Sequence, residues 1–319
     1  MNHTTTDWLL AGDPAIRWQT MAGLVDASPD EVAAERAEVA RSGWGKRLLA
    51  LHDDQGWAGG ACFPNRETWT PPPEVVGDPE GQPWTATLPT LRLLHALGVE
   101  PDDPAVQEAV TAVRERGRWE YAGEPFFDGE VEPCINGGAV AVGAYFGQDV
   151  DGIVRRLLGE QLTDGGWNCE AENGSTRSSF HTTICVLEGL LAYERAGGGI
   201  PIADARSRGN EYLLQRNLFR RASTGEVADD AFLEFSFPPQ WHYDVLRALD
   251  YFRDAGDPPD PRMAQAVEQV RAKRRPDGTW PLENTHPGLM HFALEDADGE
   301  PSRWNTLRAL RVLRWYGAA

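Results

Sequence analysis

Residues 151–195 read DGIVRRLLGEQLTDGGWNCEAENGSTRSSFHTTICVLEGLLAYER. In 151–162 the apolar residues recur at helical spacing on one stripe, and Arg155, Arg156 and Glu160 occupy the other faces. That pattern predicts a helix lying on a surface. Asp164-Gly165-Gly166-Trp167 then supplies the residues of a tight turn. From Phe180 onward the apolar residues sit on more than one face, which predicts a helix buried on both sides. Surface helix, Gly-Trp turn, buried helix is the unit from which the rest of the chain can be read.

The same unit recurs on either side. Buried-type helices are expected in PWTATLPTLRLLHALG (83–98), WHYDVLRALDYFRDAG (241–256) and SRWNTLRALRVLRWYG (302–317). Weaker copies are IRWQTMAGLV (16–25) and CINGGAVAVGAYFG (134–147). Surface-type helices are expected at 103–117, 205–218 and 260–275 as well as 151–162. Two further Gly-Trp turns stand at Asp54-Gln55-Gly56-Trp57 and Asp277-Gly278-Thr279-Trp280. Each Trp is expected to plug the gap between helix ends, a role in stability. The alternation predicts an all-α chain, with 1–319 forming a single α/α toroid of about six inner and five to six outer helices. An open α-solenoid would alternate in the same way, so ring closure does not follow from periodicity.

Gln161-Leu-Thr-Asp-Gly165-Gly-Trp167 resembles the QW repeat of squalene-hopene and oxidosqualene cyclases. The Trp280 copy has Arg in place of Gln, and the Trp57 copy is irregular. The run 164–190 resembles the zinc-bearing repeat of protein prenyltransferase β subunits, and Val131-Glu132-Pro133-Cys134 resembles their Val-Asp-x-Cys element. The chain thus looks like a member of the terpenoid cyclase and prenyltransferase β-subunit superfamily. The resemblance implies an α/α toroid and zinc held by Glu132, Cys134 and His181. The protonating Asp-x-Asp-Asp motif of class II cyclases is missing, and a second barrel would not fit in 319 residues. Squalene-type cyclisation is therefore not expected.

The residues themselves add Cys169, in the loop before the His181 helix, as a ligand alternative to Glu132. Cys, His and carboxylate suit zinc, and three protein ligands with an open position make a catalytic site. Cys185, one turn after His181, reads as a core thiol. Inner-helix starts in a toroid share one rim, so Trp84, Phe180, Trp241, Tyr243 and Trp304 are candidates for substrate binding, with His242 and Arg303 as catalytic candidates. Arg247, Arg303 and Arg308 are candidates to bind a diphosphate, and pairing with nearby acids is the alternative. His286 and His291, in the loop 284–300, are weaker candidates.

A formal net charge of −19 argues against nucleic acid and anionic membrane surfaces as partners. The start of the chain has no signal-like segment, and no stretch is long and apolar enough to span a membrane. The four Cys form no CxxC pair, which suits a reduced, cytoplasmic protein. The function expected is a zinc-dependent enzyme acting on a hydrophobic, isoprenoid-like small molecule by transfer or cyclisation. The alternatives are a ligand-binding or interaction module with structural zinc or none, and a zinc-assisted hydrolase.

Overall fold

A computed structural model describes residues 3–317. Helices carry the fold: α1 (His3–Leu10), α2 (Pro14–Gly23), α3 (Pro29–Ala37), α4 (Gly43–Leu49), α5 (Thr87–Leu97), α6 (Pro104–Arg116), α7 (Pro133–Tyr145), α8 (Asp151–Gly159), α9 (Phe180–Arg195), α10 (Ala203–Leu214), α11 (Val245–Ala255), α12 (Ala264–Ala272) and α13 (Arg303–Tyr316). Two short antiparallel pairs accompany them: β1 (Val76–Gly77) with β3 (Leu289–Met290), and β2 (Trp280–Pro281) with β4 (Pro301–Ser302). Among the described residues no helix is long and apolar enough to cross a membrane.

The helix ends obey local chemistry. Asp13, Ser28, Asp103, Ser179, Asp244 and Ser302 each accept a backbone N–H of the first turn at an N-cap. Gly98, Gly256 and Gly317 end α5, α11 and α13 in the left-handed conformation that glycine adopts without strain. Helices α5, α7, α9, α11 and α13 bury residues on several faces, whereas α6, α8 and α12 bury a single stripe. Every segment expected to be helical is helical over most of its length. Two of the inner-type helices open later than expected. Residues 83–86, Trp84 among them, precede α5. Trp241, His242 and Tyr243 precede α11 rather than open it, because Asp244 caps the helix through the Arg247 N–H at 2.7 Å.

The chain divides into two compact units, residues 39–210 with 287–293, and residues 3–38 with 211–286 and 294–317. In the first, α7 packs against both α5 and α9. Its contact with α9 is close enough to exclude side chains. A β-carbon on Gly137 would stand 2.5 Å from the Cys185 carbonyl oxygen, and one on Gly189 would stand 2.4 Å from the Gly137 carbonyl oxygen. In the second unit, α13 packs against α11, α12 and α2.

The three Gly-Trp turns are built alike. The indole Nε1–H of Trp57, Trp167 and Trp280 donates to a carbonyl of the helix before it, on Leu48 (2.8 Å), Leu157 (2.7 Å) and Val270 (2.6 Å). The backbone N–H of the same Trp donates to a threonine hydroxyl in the helix after it, on Thr87 (3.0 Å), Thr183 (3.1 Å) and Thr306 (2.9 Å). All three indoles are completely buried. Each Trp therefore rivets two helices by packing and by two buried hydrogen bonds. Gln161 adds a further tie, donating to Gly165 O (2.6 Å) and to Ala205 O of α10 (2.8 Å).

Candidate metal centre

The first turn of α7 is set from below by a side-chain clamp. Asn136, fully buried, donates to Glu130 O (2.7 Å) and accepts from the Glu130 N–H (2.8 Å). Glu130 in turn accepts the Glu132 N–H (2.7 Å). These bonds place Glu132 at the helix N-cap, Pro133 in the first turn and Cys134 just inside the helix. A thiol at that position feels the positive end of the helix dipole.

Cys169 arrives from the other side, on a short 3-10 turn (Cys169–Ala171) capped by Asn168. Asn168 also donates to Arg177 O (2.7 Å) and Ser175 Oγ (3.2 Å), closing the loop on itself. Thr182, in the first turn of α9, accepts the Cys169 N–H at 3.4 Å and touches Cys169 Sγ at 3.4 Å.

The outcome is a three-donor cluster. Cys134 Sγ and Cys169 Sγ lie 2.9 Å apart, and Cys134 Sγ lies 3.6 Å from Glu132 Oε2. One ligand atom from each of the three residues falls within 4.8 Å of the others, and all three side chains are half-buried. Contact with Cys169, followed by burial, pushes the Cys134 thiol well up, whereas contact with Cys134 holds Cys169 down. Two cysteine sulfurs and a carboxylate oxygen are a donor set that suits zinc.

The sequence candidates fall into two groups. Glu132, Cys134, Cys169, Phe180, His181 and Trp84 belong to the first unit. Phe180 and His181 open α9, with Phe180 buried; the His181 ring nitrogens are not part of the 4.8 Å cluster. Trp84 pins the 287–289 segment, its N–H donating to Leu289 O (2.7 Å) and its indole to Pro287 O (3.2 Å). His291 is buried, with Nε2 2.8 Å from Thr90 Oγ1. Cys185 is core, as its position suggested.

Trp241, His242, Tyr243, Arg303 and Trp304 belong to the second unit. His242 is sandwiched between Trp241 and His286, with ring centroids 3.7 and 3.6 Å away. His286 Nε2 also meets Ser236 Oγ at 3.1 Å. Trp304 stacks on Phe237 at 4.2 Å. Tyr243 is buried and bonds Leu218 O. The arginines all contact neighbouring residues. Arg303 lies over the Trp8 ring, Arg247 donates to Gln240 O and His242 O, and Arg308 donates to Ser236 O and pairs with Asp250.

Sequence reasoning missed the residues that support the donors. Asn136, Glu130 and Thr182 orient them, and Gly137 and Gly189 let α7 and α9 approach. The adjacent glycines of CINGG, inside a helix otherwise apolar all round, were the available signal, since a helical glycine pair costs stability unless backbone must pass close by. The sequence matches no protein-family model and no curated protein.

Proposed function

We propose that this chain is a terpenoid cyclase- and prenyltransferase-like α/α toroid that holds zinc on Glu132, Cys134 and Cys169 and acts on a hydrophobic small molecule. The observation that carries the proposal is the cluster of two sulfurs and a carboxylate oxygen within 4.8 Å, two of whose residues, Glu132 and Cys134, stand where the resemblance expects metal ligands. Three protein ligands leave one position for water or substrate, the coordination of a catalytic zinc. Zinc bound there supplies Lewis acidity, or an activated thiolate or water. The chain's own residues do the positioning. Glu130 and Asn136 hold Glu132 at the N-cap and Cys134 in the first turn of α7, and Thr182 holds Cys169. The substrate class comes from the resemblance, and transfer or cyclisation is the chemistry it brings. A diphosphate is not favoured as part of that substrate, since Arg247, Arg303 and Arg308 are engaged elsewhere.

A second reading takes His181 as a fourth ligand. It opens the helix whose next residue, Thr182, touches Cys169. A closed set of four is the coordination of structural zinc and would make the protein a ligand-binding module.

Elemental analysis tests both readings. The expected result is about one zinc per wild-type chain, lost in Cys134→Ser and in Cys169→Ser. Retention in His181→Ala supports the open site, and loss there supports the closed one. A wild-type protein that takes up no zinc on reconstitution overturns the metal function.

A further inference from the structure

We propose that Cys134 and Cys169 also form an oxidisable dithiol, a modification site at which hydrogen peroxide or an organic hydroperoxide closes a Cys134–Cys169 disulfide. The sulfurs are 2.9 Å apart, inside the ~3.5–4.0 Å at which non-bonded carbon atoms rest. A disulfide bond is about 2.05 Å long, so closure brings the sulfurs together by about 0.9 Å. The two partners divide that movement unequally. Cys134 sits in the first turn of α7, which is locked to α9 by the backbone contacts at Gly137 and Gly189. Cys169 sits on a three-residue turn, followed by a loop whose residues 172–174 are exposed. The turn can yield while the helix stays put.

Access and selectivity also favour this pair. Both thiols are half-buried, so a small peroxide reaches them. Cys62 and Cys185 are buried. Thr182 Oγ1, 3.4 Å from Cys169 Sγ, offers a hydroxyl beside the reacting sulfur.

The chemistry balances with one peroxide. One sulfur attacks the terminal peroxide oxygen, the O–O bond breaks, and the departing hydroxide, or the alkoxide of an organic hydroperoxide, takes up the thiol proton as water or alcohol, leaving a sulfenic acid. The second sulfur attacks the first, the S–S bond forms and the S–O bond breaks. The hydroxide leaves with the second thiol's proton as another water. The two sulfurs together lose two electrons, which the peroxide gains. An external thiol reverses the step by exchange.

Disulfide formation needs no metal. Its competition with zinc rests on the proposed function above, because the same two sulfurs would hold the ion. The test uses the full chain stripped of metal with EDTA and treated with hydrogen peroxide. Remaining thiols are alkylated under denaturing conditions, and a non-reducing digest is read by mass spectrometry. The expected product is one cross-linked species joining the Cys134 and Cys169 peptides, lighter by two hydrogens and released by dithiothreitol, with Cys62 and Cys185 alkylated. Recovery of Cys134 and Cys169 as alkylated thiols, or as separate sulfinic acids, overturns the dithiol. A parallel sample preloaded with zinc separates the two proposals. Cross-linking slowed about tenfold or more supports both. Cross-linking at an unchanged rate supports the dithiol and counts against zinc on these sulfurs.

Discussion

The carbonyl oxygen of Gly137 lies 2.4 Å from the point where a β-carbon on Gly189 would stand, so α7 and α9 meet backbone to backbone. That approach is what brings Cys134, at the start of α7, next to the Cys169 turn that Thr182 of α9 holds. Two opposing terms act on Gly189→Ala. Helix propensity favours Ala by about 1 kcal/mol. Overpacking against a rigid backbone costs about 1–3 kcal/mol and wins here, because no flexible side chain can yield.

Gly189→Ala is therefore expected to lower the urea midpoint and to weaken zinc uptake. Gly152→Ala is the control. A β-carbon there meets nothing within 4 Å, so the propensity term acts alone and stability rises by up to about 1 kcal/mol. If the two variants shift the midpoint in the same direction, the close contact is not what makes Gly189 necessary.

The Trp-Thr rivets predict a second series. Thr183→Val keeps the volume but removes the acceptor of the Trp167 N–H, leaving a buried donor unsatisfied at a cost of about 1–3 kcal/mol. Thr183→Ser, which keeps the hydroxyl, is expected to recover most of it. Thr87→Val and Thr306→Val remove the equivalent bonds to Trp57 and Trp280, and should show losses of similar size by chemical denaturation.

His291 predicts how stability depends on pH. Burial depresses its pKa from 6.5 to about 4. On acidification the unfolded chain therefore binds the proton before the folded one does. The contribution is complete above pH 6.5 and is lost as pH falls toward 4, amounting to at most about 3 kcal/mol. Urea titrations across that window should show the loss in wild type and a flatter profile in His291→Gln.

Glu295 predicts a helix-start defect. Its carboxylate accepts from Ser302 Oγ (2.7 Å), the Trp304 N–H (2.9 Å) and the Arg303 N–H (3.3 Å) at the first turn of α13, although burial pushes its pKa up. Glu295→Ala leaves these donors buried without an acceptor and is expected to destabilise by about 1–3 kcal/mol. Glu295→Gln keeps one carbonyl oxygen and should fall between the two. A midpoint unchanged in Glu295→Ala would show that water replaces the carboxylate.

Much of the helical scaffold was legible because its signals are local. Apolar spacing separated two-sided from one-sided helices, Asp, Ser and Gly marked their ends, and the Gly-Trp turns announced buried tryptophans. Each depends on residues a few positions apart, so a mostly helical chain and the approximate place of each helix follow from local sequence. Glu132, Cys134 and Cys169 were also visible as candidate ligands, from residue type and motif. Their grouping was not. It depends on the Glu130–Asn136 clamp, on Thr182 reaching Cys169 across thirteen positions, and on glycines 52 positions apart that let two backbones touch. The contacts of Arg303, Tyr243 and His291 are likewise made with partners distant in the sequence, Trp8, Leu218 and Thr90. Periodicity records which face of a helix is buried. Which residue of another helix meets that face is set by packing, and only the tertiary structure decides it.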